Sequence, residues 1–371
     1  MKILSVIESL ELGGAESVLV DLAVGLREHQ HRVVHFTTFN GLTPCAAFVE
    51  ELRDNGADCN DVPWAICRDE AAWSEVLAGF SPDVVFFHWW GHDPLRDWVY
   101  RSKILPIGDR PCFVCVLHHA EVAAPPNYDR YVLVANHQVN QVERVSSNPA
   151  RVIPNGVALD RFDAAKRSRA PGSDLIVGRL SCLFANKIPR DWVRTLLSFQ
   201  IPRTSFVIAG DGELLPALVE DARQLNAADR LSFPGYVARN DVPALLESFD
   251  VFCYATSTAV ECHPLVILEA LASGLPVVAE GRGGISEIVT HGVNGLLAGS
   301  ISEIGAHLRN LRCNERLLRD LAYGSRRTAL NFSLDLQLNS YRALLNEIEN
   351  ERTAARKVSH RDGSQTYDSD G

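Results

Sequence analysis

The sequence predicts an α/β protein of two tandem parallel-sheet domains with a cleft between them. Three observations predict it. Short buried runs, such as 2–7, 83–88 and 112–117, alternate with stretches of helical apolar spacing. Glycine-bearing loops stand where strands hand over to helices, at Gly13 and Gly14, at Gly210 and Gly212, and from Gly281 to Gly284. The alternation then starts afresh after a polar, basic stretch, 162–172, that ends in Pro171 and Gly172.

Composition bounds the function. Lys and Arg number 36 against 46 Asp and Glu, a net charge of −10. That weighs against nucleic-acid partners and against an anionic membrane surface. The cysteines fall mostly inside apolar runs, so reduced buried thiols are expected rather than a disulfide scaffold. Cys112 and Cys115 have CxxC spacing, but inside FVCVLHH they read as strand. No long apolar segment or cleavage-type leader is read at the N-terminus, and the expected location is cytoplasmic.

In the first half, 2–7 is a strand, Leu12 to Ala15 a loop and 16–28 a helix with Val18, Leu19, Leu22, Ala23 and Leu26 on one face. The strand 32–37 completes a βαβ unit. The glycines between strand and helix suit close approach of a ligand, or a tight turn alone. Helices are expected at 46–55 and 70–78. The strand 83–88 runs into Trp89, Trp90 and His92, which line a pocket or pack a domain edge. The strand 112–117 ends at His118 and His119, before a Pro-rich loop. His118 is an active-site histidine or a hydrogen-bonded structural one. Strand 131–135, helix 136–146 and strand 151–154 close this half.

The second half reads as strand 175–178, helix 191–198, strand 204–209, helix 214–225, strand 231–233, helix 241–247 and strand 250–254. The most informative stretch follows, VECHPLVILEALASGLPVVAEGRGGISE from Val260 to Glu287. It reads as a polar loop, an apolar helix, a turn, a short buried strand 276–279 and a glycine loop. Helices are expected at 301–309, 314–328 and 334–349. The domains are placed at 1–165 and 172–330, with 331–350 as a helix returning to the first domain and 351–371 as a disordered tail.

These patterns, in this order, resemble one family, the retaining nucleotide-sugar-dependent glycosyltransferases of family 4 with the two-domain GT-B fold. The resemblance runs over about 1–349. It rests on Glu261 and Glu269, with seven residues between them, and on Gly274, Pro276, Gly283, Gly284 and Glu287 behind them. It also rests on Gly13-Gly14-Ala15-Glu16, the His118 strand end, Pro154-Asn155-Gly156-Val157, Gly178-Arg179-Leu180, Lys187 and Gly210-Asp211-Gly212.

The resemblance implies two Rossmann-like domains facing across a cleft, the first for acceptor and the second for donor. It implies Arg179 and Lys187 on the donor diphosphate, where a cationic clamp stabilises the departing nucleotide. It places Glu269 on the ribose, Glu261 beside the donor sugar and His118 on that sugar. Gly13 and Gly14 would lie near the phosphates, and Gly210, Gly212 and Tyr236 at the nucleobase end. Backbone N–H groups around His263 and Leu265 would meet sugar hydroxyls or phosphate, while Pro264 between them removes one such donor. Trp89, Trp90, His92 and His119 are assigned to the acceptor. Three departures stand out: His263-Pro264 where an aromatic and a glycine are usual, Ile188 after Lys187, and His119 after His118.

The implied reaction is transfer of a hexose-type sugar, with retention, from a nucleotide sugar (UDP favoured) to an acceptor hydroxyl. It needs no cofactor and no metal. A small soluble acceptor, such as an aminoglycoside in bacterial antibiotic biosynthesis, is expected first. Cell-envelope or lipid-linked glycan synthesis and a non-catalytic nucleotide-sugar-binding homologue are the alternatives. Basic and aromatic residues between 96 and 110 could touch a membrane, though the acidic balance speaks against it. A homodimer stays open.

Overall fold

The computed structural model describes residues 1–11, 13–37, 45–63, 80–89, 108–119, 124–162, 172–256 and 260–362. Trp90, His92, the helix expected at 70–78 and nearly all of the 96–110 stretch lie outside the described residues, as does the side chain of Trp89. The chain forms two compact units, one of Met1–Pro154 with Gln337–Gly371 and one of Asn155–Leu336. The boundary falls at Asn155, earlier than the polar stretch 162–172. A chain reversal explains it: Val157 N–H donates to Phe332 and Leu334 N–H to Val157, which joins the segment after Pro154 to the end of the same unit.

The first unit is a parallel sheet. Its strands are β1 (Lys2–Ile7), β2 (Gln30–Thr37), β3 (Asp58–Pro63), β4 (Val84–Trp89), β5 (Cys112–Leu117), β6 (Arg130–Leu133) and β7 (Ala150–Val152), in the order β3-β2-β1-β4-β5-β6-β7. Every residue of β5, CFVCVL, is buried, as a central parallel strand covered on both faces requires. Leu4, Val6, Val85, Phe87, Phe113 and Cys115 form one apolar layer. Ile7, Leu19, Val33, Phe48 and Leu52 form another, with helices Gly14–Gly25 and Ala46–Asp54. Both CxxC thiols are buried in β5, and burial pushes that of Cys112 up to about 12.

The terminal helix runs Leu334–Asp362. Leu338, Tyr341, Leu345 and Ile348 recur at helical spacing and are buried, with Tyr341 edge-on to Phe86. The helix passes Glu351, where the sequence places a disordered tail. That expectation is corrected for 351–362, and 363–371 lie outside the described residues. Charged residues carry the extra turns: Arg352 is 5% exposed, donates to the Arg110 carbonyl and pairs with Asp83 at 3.2 Å.

The second unit is also parallel: β8 (Leu175–Leu180), β9 (Thr204–Ala209), β10 (Leu231–Gly235), β11 (Val251–Tyr254), β12 (Val277–Glu280) and β13 (Gly295–Ala298), in the order β10-β9-β8-β11-β12-β13. Strand alternation sorts its core. Val177, Phe206, Ile208, Val251, Cys253 and Val278 pack on one face, and Phe252, Tyr254, Val277 and Ala279 on the other.

Each unit is therefore doubly wound in the Rossmann manner. The strand order reverses between β1 and β4 in the first unit and between β8 and β11 in the second. In such sheets ligands bind beyond the carboxyl ends of the strands at these reversal points. Among the described residues no helix is long and apolar enough to cross a membrane.

Candidate active site

At the reversal point of the second unit, β8 delivers Arg179 and β11 delivers Tyr254. Arg179 is 2% exposed. Its Nε donates to Ser181 Oγ at 3.1 Å, and its two terminal nitrogens donate to the carbonyls of Ala255 and Lys187, both at 2.6 Å. The guanidinium carbon lies 4.7 Å from the centre of the Tyr254 ring. No carboxylate pairs with it among the described residues. Burial pushes its pKa below the usual range, while Tyr254 and, further down, Glu261 and Glu280 act the other way. A buried cation held only by dipoles and a π face is electrostatically incomplete and favours an anion nearby.

Lys187 lies in the loop after β8. Its Nζ donates to Glu261 Oε1 at 2.8 Å, and the Tyr254 hydroxyl donates to the same oxygen at 3.0 Å. The Lys187 side chain is 34% exposed and that of Glu261 11%. Arg179, Lys187 and Glu261 are thus brought together, with Tyr254 touching two of the three. Burial, with the Glu261 charge adding to it, holds the Tyr254 phenol well above its ordinary value, so it is a hydrogen-bond donor at neutral pH.

Glycines shape the loops around this cluster. Gly210 and Gly212 follow β9 with φ of 121° and 150°, where a Cβ would meet the carbonyls of Ser181 and Leu183. Gly284 N–H donates to the Glu261 carbonyl at 2.8 Å. A Cβ on Gly284 would land on the carbonyl of Cys262. The glycine loop after β12 therefore packs directly on the backbone that carries Glu261.

The helix Leu265–Ala272 starts behind Pro264, whose backbone is extended, and no side chain caps it. Ile267 N–H donates to the Pro264 carbonyl at 3.1 Å, and the N–H groups of Leu265 and Val266 stand at the helix N-terminus, a place that suits anions or hydroxyls. Glu269 is half-buried on this helix. The His263 ring is 5% exposed and packs against Phe332 with centroids 5.2 Å apart. Its carbonyl accepts from Asn155 Nδ2 at 2.8 Å. Tyr236, after β10, is 50% exposed.

In the first unit, Gly13 is the N-cap of the helix Gly14–Gly25. A Cβ there would strike the Glu16 carboxyl, whereas at Gly14 nothing stands within 4 Å. Glu16 is 6% exposed, and its Oε2 has no hydrogen-bond partner among the described residues. Burial first, then the Glu11 and Glu8 charges, push its carboxyl up to about 8. His118 follows β5 and meets His88 of β4, Nε2 to Nδ1, at 2.9 Å. His119 is half-buried, and its carbonyl accepts from Gln138 at 3.2 Å.

Two participants, Tyr254 and Thr256, carry no sequence signal of their own. Tyr254 reads as the last apolar residue of a buried strand. Asn155, legible only through the Pro154-Asn155-Gly156-Val157 motif and without a role, ties the start of the unit to the loop of His263. Thr256 is held through its N–H by Glu280 at 3.1 Å, and its hydroxyl accepts from Arg282 at 2.7 Å.

A family model described as Glycosyl transferases group 1 matches residues 166–327, the segment that holds Arg179, Lys187, Tyr254, Glu261 and Glu269. The match covers less than half of the chain and shows a likeness to that group over this segment. The assignment to family 4 is corrected accordingly, since the match carries the group 1 description. The chain is similar to a GDP-mannose-dependent alpha-(1-6)-phosphatidylinositol monomannoside mannosyltransferase of Mycobacterium tuberculosis. The two are 34% identical over 159 residues, which cover 39% of this chain and 41% of the relative. The chain thus spans less than half the length of that relative. It is also similar to a D-inositol 3-phosphate glycosyltransferase of Mycobacterium bovis, 27% identical over 341 residues, 80% of this chain and 70% of the relative. By fold it is similar to Anabaena Alr3699/HepE, solved in complex with UDP. The TM-score is 0.76 at 21% identity, over 94% of this chain and all of that one. The fold is of the GT-B type, with two Rossmann-like units.

Proposed function

We propose that the protein is a retaining glycosyltransferase. It moves a hexose-type sugar from a nucleotide-sugar donor, a UDP-sugar first, to a hydroxyl of a lipid-linked or cell-envelope acceptor. The observation that carries this is the convergence of Arg179, Lys187 and Glu261 around Tyr254 at the reversal point of the second sheet.

Two cations and one carboxylate suit a diphosphate attached to a sugar. Arg179 is the fixed charge, immobilised by two carbonyls and a hydroxyl. Lys187 is the more exposed and reaches a phosphate oxygen by exchanging its bond to Glu261. The freed carboxylate then accepts from a sugar hydroxyl. Negative charge grows on the leaving phosphate as the glycosidic bond breaks, and fixed cations stabilise it without reorganising. The leaving phosphate oxygen takes the proton of the incoming hydroxyl on the same face. Glu269 accepts from the ribose. Gly210, Gly212 and Tyr236 hold the base, and the N–H groups at Leu265 hold phosphate or sugar. The buried ring of His263 leaves that contact to its backbone. Gly13, Gly14 and His118 act from the first unit, with Trp89, Trp90, His92 and His119 on the acceptor.

The activities of the relatives support placing a lipid-linked or cell-envelope acceptor before a small soluble one. The mycobacterial mannosyltransferase acts on a phosphatidylinositol monomannoside. That favours a lipid-linked acceptor over the aminoglycoside expected from charge. UDP stands first among donors because the similar Anabaena protein was solved with it.

The test is a panel of UDP-, GDP- and dTDP-sugars against polyprenyl-diphosphate-linked sugars, phosphatidylinositol mannosides and inositol phosphate, with and without EDTA. Transfer from a UDP-sugar to a lipid-linked acceptor, unaffected by EDTA, is expected. Failure to bind any nucleotide sugar contradicts the proposal. Binding without transfer makes the chain a nucleotide-sugar-binding homologue.

A further inference from the structure

His88 and His118 stand on neighbouring strands at the carboxyl edge of the first sheet. His88 is the fifth residue of β4, opposite Ile7 of β1, and His118 follows the last residue of β5. Their ring planes differ by 7° and their centroids lie 5.1 Å apart, with a 2.9 Å contact from Nδ1 of His88 to Nε2 of His118. This is the geometry of two imidazoles end to end in nearly one plane, joined by a hydrogen bond.

Such a bond needs one proton between the two nitrogens, so the tautomers of the rings are coupled. The other nitrogen of His88 decides which tautomer forms. Nε2 is buried and has no hydrogen-bond partner among the described residues. A proton there would be an orphaned buried N–H, rarer and costlier than a bare ring lone pair. The proton of His88 therefore sits on Nδ1 and is donated to Nε2 of His118. A neutral His118 must then carry its own proton on Nδ1. Both rings are neutral at physiological pH, because burial pushes His118 down to about 3 and His88 well below its ordinary value.

We propose that His88 is a positioning residue that fixes the plane of His118 and holds it as the neutral Nδ1–H tautomer, so that His118 meets the donor sugar as a hydrogen-bond donor. The last clause rests on the function proposed above, and the first does not. A neutral N–H donor suits a sugar hydroxyl oxygen and adds no charge beside a diphosphate. The CxxC cysteines, the Trp-His segment and the strand end gave no hint of this pairing, because the partners are 30 residues apart in sequence.

The experiment uses the full chain with 15N-labelled histidine, as wild type, His88→Asn and His88→Phe. Asn keeps an N–H near the position of Nδ1, and Phe removes it. Long-range proton–nitrogen spectra are expected to show His118 protonated on Nδ1 in the wild type and in His88→Asn. In His88→Phe they are expected to show a mixture or the Nε2–H form. An Nε2–H form in the wild type overturns the proposal, as does an unchanged tautomer in folded His88→Phe. In turnover, His88→Phe is expected to lower kcat by about tenfold with donor KM changed by less than about threefold, and His88→Asn to recover most of it. Wild-type turnover in folded His88→Phe also overturns it. If the wild type turns over no donor, the proposed function fails, and the spectra still decide the tautomer.

Discussion

Lys187 and Glu261 form an ion pair, with Nζ 2.8 Å from Oε1, and the Tyr254 hydroxyl shares that oxygen at 3.0 Å. The proposed donor site is thus internally neutralised at its exposed end and leaves its buried cation, Arg179, unpaired by any carboxylate among the described residues. Phosphate binding then means exchange of partners by Lys187. Lys187→Ala is expected to lower kcat/KM for the donor by about 10- to 100-fold. The pair is partly exposed, so thermal stability should change little, in line with roughly 0–1 kcal/mol for such pairs. Initial rates and thermal melts check both halves. Unchanged rates contradict the assignment of Lys187.

Tyr254 serves two neighbours in different ways, and the two can be separated. Tyr254→Phe keeps the ring face under Arg179 and loses only the bond to Glu261. A drop of about tenfold in kcat/KM is expected, with folding intact. Tyr254→Ala removes a buried aromatic of the second core as well, at a cost of about 3–5 kcal/mol. Urea unfolding together with rates distinguishes them. Equal stability of the two variants contradicts the packing role.

The glycines offer a paired test. Gly284→Ala drives a Cβ onto the Cys262 carbonyl beside Glu261, so the loop has to move. We expect a loss of roughly 1–3 kcal/mol and weaker donor binding. Gly14→Ala enters the first turn of a helix with nothing within 4 Å and should leave stability unchanged or slightly raised. Thermal melts and donor titrations of both variants check this. Similar effects at the two positions contradict the reading of the loops.

Glu16 makes stability depend on pH. Its carboxyl is pushed up to about 8 from 4.5 in the unfolded chain, chiefly by burial. The folded state therefore holds a proton that the unfolded state releases. The contribution is fully present below about pH 4.5 and is lost as pH rises through about 8. The slope is at most about 1.4 kcal/mol per pH unit. Glu16→Gln removes the ionisation and should be the more stable form at pH 8 but not at pH 4.5. Denaturation midpoints of both proteins across that range decide it. Parallel curves contradict a buried, raised carboxyl.

The alternation of both sheets was legible because central parallel strands are continuous apolar runs, as CFVCVL and VFCY are. β3 was not, because its sequence, DCNDVP, is polar and sits at a sheet edge, where one side needs no apolar cover. β13 was not, because GLLA is four residues led by a glycine. Arg179, Lys187 and Glu261 were legible as types, through motif order. Their convergence on Tyr254 was not, since a tyrosine ending a buried strand reads as core, which it also is. His88 was visible as a histidine at a strand end, but its bond to His118 depends on the pairing of β4 with β5, which no local pattern encodes. The last turns of the terminal helix were read as tail, because charged composition hides the burial of Arg352.

The most direct test of the central claim is donor binding and turnover by Arg179→Lys beside the wild type. Lysine keeps the charge but cannot make three fixed bonds while lying against Tyr254. With a UDP-sugar and a lipid-linked acceptor, the wild type is expected to turn over. The variant, folded by circular dichroism, is expected to lose about 100-fold or more in kcat/KM. A variant as active as the wild type, or a wild type that binds no nucleotide sugar, contradicts the account.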